Sequence, residues 1–215
     1  MKRAILLAVA AGASLASPAA AQIAPGRSGS SSMSYLGEKE IWPVVSEFGS
    51  CYAEVNRLDA LKLIATVPNS ASEAQTYRKL FTKPYQSCLG DVTSMGGMAI
   101  GMIRGAIAEG LYKKRIALPA NLMLTAPAPG QIRNLSHAAL CYAAAHPDAA
   151  RALIAQTKPG SRKEFDAIVA MMPDFRRCIP QGALNTQFDA TQIRFRIAEA
   201  LLRTGVPLKA PEVRN

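Results

Sequence analysis

Cys51-Tyr52-Ala53 returns ninety positions later as Cys141-Tyr142-Ala143, and Cys88 returns at the same offset as Cys178. Leu63-Ile64-Ala65 matches Leu153-Ile154-Ala155, and Ile103-Arg104 matches Ile193-Arg194. Ile107-Ala108-Glu109 matches Ile197-Ala198-Glu199, closed by Leu111 and Leu201. Without gaps, 14 of the 65 positions from Cys51 to Arg115 are identical to their counterparts. Average residue usage predicts about four or five. A chain built this way is expected to fold the same unit twice.

A further block repeats at offset 91, where Pro68-Asn69-Ser70-Ala71-Ser72-Glu73 parallels Pro159-Gly160-Ser161-Arg162-Lys163-Glu164. Both copies keep Ser-x-x-Glu, the capping box that satisfies the open N–H groups at a helix start. The slip is undone before the second cysteine, so one residue between them has moved. A start signal kept through a change of register predicts that both copies fold alike.

Periodicity and helix breakers predict the elements. In the second copy Ser136 to Ala145 reads as a short helix, and a second starts at His146-Pro147-Asp148 and stops at Pro159-Gly160. Ser161 starts a third that runs to about Met172, and a Pro-containing loop carries Cys178. The last, about Ala190 to Thr204, puts Ile193, Ile197 and Leu201 on one stripe. The first copy repeats the plan and ends in a helix from about Met98 to Lys114. No convincing strand alternation occurs. The expected fold is all-α: two tandem, pseudo-symmetric modules of about four helices, over residues 39–115 and 133–206. Residues 116–132, rich in Pro and Ala, read as a connector, 22–38 as a flexible Gly/Ser-rich segment, and 207–215 as a loose tail.

The chain opens with basic Lys2 and Arg3, runs apolar from Ala4 to about Leu15, and reaches Ala19-Ala20-Ala21 before Gln22. That is the order of a secretory signal peptide, residues 1–21. The apolar run is too short to span a bilayer and ends at Pro18. An even number of cysteines in an exported chain reads as disulfides. Four cysteines allow three connectivities, of which Cys51–Cys88 and Cys141–Cys178 is the simplest, since each copy then carries its own staple. Each bridge would add about 4 kcal/mol by loop entropy. No CxxC spacing occurs, so neither a zinc site nor a thioredoxin-type motif is expected.

Loss of the leader removes two basic residues and leaves a net charge of +8, from 23 basic and 15 acidic residues. Such a charge suits anionic envelope components, or simply keeps the protein in solution. The clusters Lys113-Lys114-Arg115, Arg176-Arg177 and Arg194/Arg196 are dispersed and free of interleaved aromatics, so nucleic acid is not expected; they read as a solvated face.

The polar residues shared by both copies are Arg104 with Glu109 and Arg194 with Glu199. Five residues apart on a helix, the members of each pair point in different directions and cannot form the i, i+4 bridge. The simpler reading is an internal polar clamp, each Arg reaching a carboxylate or carbonyl on a neighbouring helix. The functional alternative sets Glu109 and Glu199 across a groove as paired carboxylates. Tyr52 and Tyr142 follow the first cysteine of each copy and are expected to pack over the disulfide, with ligand stacking as the alternative. His137 and His146 occur only in the second copy, and no hydrolase, zinc-protease, phosphate-loop or dinucleotide motif is present. No catalytic residue, metal ligand or cofactor is assigned. Gly97, Gly101 and Gly105 at four-residue spacing predict close helix contact, while Met95, Met98 and Met102 offer an adaptable pocket lining as the alternative.

Two units of Cys-Tyr-Ala, Pro-x-Ser-x-x-Glu, a second Cys and an Ile-Ala-Glu helix resemble a group of uncharacterised exported bacterial proteins over roughly Ser46 to Arg203. The resemblance implies export and duplication, and no activity. Three functions stay open: a non-catalytic periplasmic interaction or ligand-binding module, which needs the fewest unobserved features; a cationic protein held at the envelope surface; and a hydrolase using Glu109 and Glu199. Partner and oligomeric state are not specified by the sequence.

Overall fold

The computed structural model describes residues 38–81, 88, 100–128, 130–179 and 190–208. Among them are eight α-helices and no strands. They are α1 (Glu38–Val55), α2 (Arg57–Ala65), α3 (Ala71–Phe81), α4 (Ile100–Lys113), α5 (Leu135–Ala145), α6 (Pro147–Gln156), α7 (Arg162–Arg177) and α8 (Ala190–Thr204). The all-α expectation holds. The leader, Met95, Gly97 and Met98 lie outside the described residues.

α4 and α8 pack against one another at the centre; α1 and α2 lie on α4, and α5, α6 and α7 on α8. The reason for this order is in the side chains. α1 buries Val45, Phe48 and Tyr52 along one helical face, spaced to meet a single neighbour. α4 is buried on every side from Ile103 to Tyr112, and a helix buried all round belongs in the middle. Small residues let α1 and α4 approach closely. A Cβ built on Gly49 would lie 2.2 Å from the Ala106 carbonyl, and one on Gly110 would lie 2.4 Å from the Gly49 oxygen. Gly105 does the same at the central crossing, where a Cβ would come 2.3 Å from that of Phe195. Of the three glycines expected at helix contacts, Gly101 and Gly105 therefore face α8.

The cysteines join as Cys51–Cys88 and Cys141–Cys178. Ser70 and Ser161 cap α3 and α7, accepting from the N–H of Glu73 and Glu164, and each glutamate reaches back to the N–H of Asn69 or Gly160 at 2.6 Å. Both of those residues have positive φ, 62° and 74°, a backbone conformation that Asn and Gly tolerate best. The moved residue is Gln156, which lengthens α6 by one position relative to α2.

Two helices differ from expectation. α7 does not stop at Met172 but runs through Pro173 to Arg177. Proline forfeits one backbone bond, and Pro173 sits on the exposed side, while Phe175 is fully buried and Cys178 is tied by its bridge, which holds the final turn in place. α1 begins at Glu38, so it is a longer helix than its counterpart α5 and carries Pro43 inside. The connector is anchored: Leu124 N–H donates to Arg203 O, and Ile116 and Leu118 pack on the core. Val206, at the end of the second module, and Leu208, at the start of the tail, do likewise. No described helix is long and apolar enough to cross a membrane, and two disulfides fit an oxidising compartment.

Candidate functional site

The four polar residues singled out by the sequence meet in the middle of the protein. They do so by exchange between the two central helices. Arg104 of α4 bonds Glu199 of α8 through Nε and Nη2, at 3.0 and 2.7 Å. Arg194 of α8 bonds Glu109 of α4 through the same two nitrogens, both at 2.8 Å. Each is the fork-on-carboxylate geometry that makes charged hydrogen bonds strong. Both arginines and Glu109 are 0 % exposed, and an ion buried to that degree needs every donor and acceptor filled.

The remaining donors are filled by the ends of other helices. Arg104 Nη1 donates to Leu63 O, Thr66 Oγ1 and Glu73, and Nη2 to Ile64 O and Thr66 O. Arg194 repeats this on Leu153 O, Thr157 Oγ1, Ile154 O and Thr157 O, with Glu164 at 3.5 Å. The carbonyl acceptors lie at the C-terminal ends of α2 and α6, where a cation is favoured by the helix dipole. The glutamates are the capping residues of α3 and α7. Each arginine thus fastens the end of one helix, the start of the next, and the opposite central helix.

Electrostatics follow. Burial alone would raise the Glu109 carboxyl, but Arg194 and then Lys113 outweigh it and hold its pKa below the ordinary value. Glu199 behaves likewise under Arg104, Arg196 and Arg203. Glu164 goes the other way, pushed up by burial against the pull of Arg194. Glu109 and Glu199 are therefore ionised, and each is occupied by a guanidinium group from the opposite central helix.

Tyr52 and Tyr142 are buried as packing residues. Tyr52 lies against Phe48 with ring centroids 5.5 Å apart, and Tyr142 lies between Phe175 and the stacked ring of His146. His146 also occupies the junction of α5 and α6. His137 Nδ1 sits 3.3 Å from Arg133 N and from Gln131 O. The basic clusters are partly consumed: Lys113 pairs with Glu109, Lys114 with Glu54, and Arg177 with Asp174. Arg194 is no part of a solvated face, and Arg196 is only 14 % exposed.

Two cavities lie beside these helices. The larger, about 290 Å³, lies between the turns that end α4 and α8 and is lined by Tyr112, Arg115, Leu118, Met123, Leu202 and Leu208 among others. Tyr112 Oη is buried with no hydrogen-bond partner among the described residues, and burial, against the pull of Arg151, pushes its pKa up to about 12. The smaller, about 190 Å³, sits beside Glu199. Among the described residues no group of three His, Cys, Asp or Glu side chains converges as metal ligands do.

Sequence reasoning missed Thr66 and Thr157 as guanidinium acceptors and Glu73 and Glu164 as second carboxylates. A signal was there: both pairs recur at offset 91, with the displaced block rather than the cysteines. The chain matches no protein-family model, no curated protein and no solved structure.

Proposed function

We propose that the chain is an exported, periplasmic, non-catalytic binding protein: a duplicated helical unit, stapled once per copy, that presents a small ligand or a partner with the cavities between its halves. The observation that carries the reading is the occupation of Glu109 and Glu199 by Arg194 and Arg104. The carboxylates with which a hydrolase would work are spent on holding α4 and α8 together. Duplication is supported by the two guanidinium sites, whose acceptors correspond residue for residue. Export is supported by the leader-like residues 1–21 and by the disulfides. The envelope-surface alternative gains little from the basic clusters, since Lys113 and Lys114 are engaged in ion pairs.

The test is to isolate the natively exported protein across a salt series and identify by mass spectrometry what travels with it. A protein that stays in solution with a defined companion or small molecule supports the reading. Sedimentation with the envelope, reversed by salt, would replace it with electrostatic attachment to an anionic surface.

A further inference from the structure

The two guanidinium sites differ in one charge. Around Glu109 stand Arg194 and Lys113 against Glu109 and Glu164, which balance. Around Glu199 stand Arg104, Arg196 and Arg203 against Glu199 and Glu73, an excess of one cation. Position by position Arg203 corresponds to Lys113, whereas Arg196 corresponds to Ala106. Arg196 is thus the added charge. Its Nη1 is buried and has no hydrogen-bond partner among the described residues; the nearest carboxylate oxygen, of Glu199, is 3.8 Å away and shared with stronger donors. An unfilled guanidinium nitrogen in a buried position is costly, and native proteins supply a partner.

The same arginine lines the 190 Å³ cavity together with Arg203 and Glu199, two cations against one anion, and with Leu140, Val67, Pro68 and Leu124. The cavity is smaller than the roughly 300 Å³ at which drug-sized pockets begin. Its cationic floor is set by Arg196 and Arg203, seven residues apart and so on one face of α8, and Leu140, Val67, Pro68 and Leu124 give it apolar walls. Asn134, Ser136 and His137 at the start of α5 add polar atoms at one side. Arg196 is seated by Gly101, whose absent Cβ would stand 2.5 Å from Nη2.

We infer that this cavity binds a small monocarboxylate carrying a short apolar chain, its carboxylate taken by the guanidinium groups of Arg196 and Arg203 that line the cavity and its chain against Leu140, Val67, Pro68 and Leu124. The anion supplies the one charge the site lacks, and the planar guanidinium is shaped for a carboxylate. This deepens the proposed binding role and rests on it.

The experiment is calorimetric titration of the oxidised full chain with butyrate, with the neutral isostere butyramide and with inorganic phosphate. One butyrate per chain, bound at least tenfold more tightly than butyramide or phosphate, is expected. Arg196→Gln loses at least tenfold in butyrate affinity, and Arg162→Gln, at an exposed pair on α7, loses none. Should Arg196→Gln fail to fold, Val67→Glu on the 68 % exposed rim is expected to weaken butyrate by the same factor through repulsion. Equal binding of butyrate and butyramide, preference for phosphate, or full butyrate affinity retained in a folded Arg196→Gln or, where that variant does not fold, in Val67→Glu would overturn the assignment. A native companion recovered from a protein that does not bind butyrate would sink the carboxylate site and leave the binding role standing.

Discussion

Arg104 and Glu199 are 95 residues apart in the chain and 2.7 Å apart in the fold. Arg194 and Glu109 answer them across the same two helices. The consequence for stability is asymmetric. Removing one partner strands a buried charge, which costs about 3–5 kcal/mol, whereas removing both costs less than the sum. Glu199→Gln and Arg104→Met are each expected to lower the melting temperature by on the order of 10 °C. The double variant should fall short of additivity in urea denaturation. Strict additivity would show that the two residues act independently.

Acid should unfold the protein from within. Glu109 and Glu199 have folded pKa values below the unfolded value of about 4.3. Their stabilisation is therefore present above that value and is lost as pH falls through the folded values. Glu164, raised by burial, contributes with the opposite sign: its share is full below the unfolded value and declines as pH rises through its folded pKa. Two lowered groups against one raised group give a net loss on acidification. The urea midpoint should be lower at pH 3 than at pH 6, and Glu109→Gln should shrink the difference. A midpoint unchanged between those two pH values would contradict this.

Close approach of α1 and α4 predicts intolerance to a single methyl group. Gly49→Ala and Gly110→Ala each push a carbon into backbone at 2.2–2.4 Å and should cost about 1–3 kcal/mol or more. Gly130 has open space but φ +85°, so Gly130→Ala should cost only about 1–2 kcal/mol of backbone strain. Thermal melts of the three variants give the ranking.

Each disulfide closes a loop over 37 positions, so replacing Cys51 and Cys88 by Ala is expected to remove about 4 kcal/mol. Peptide mapping without reductant should return Cys51 with Cys88 and Cys141 with Cys178. A peptide joining Cys51 to Cys141 would refute the pairing.

Local features of this fold could be read from the chain, and relations between distant residues could not. The caps at Ser70 and Ser161 and the stripe of Ile193, Ile197 and Leu201 are written within a few residues, because each depends on helical spacing. The five-residue gap between Arg104 and Glu109 told only that they do not pair with each other. Which carboxylate each arginine takes depends on how α4 meets α8, and that is decided by Gly105 against Phe195, a contact with no local signature. The proline in α7 misled because burial of Phe175 outweighs one lost backbone bond.

The reciprocal arginines also define what counts as a unit here. Residues 38–113 alone would keep Arg104 without Glu199, and residues 135–204 alone would keep Arg194 without Glu109. Neither piece is then self-sufficient, although each owns its disulfide. Conversely, a protease cut within 116–132 would sever the chain and leave its two fragments clasped, migrating together until the charges that cross between them are neutralised.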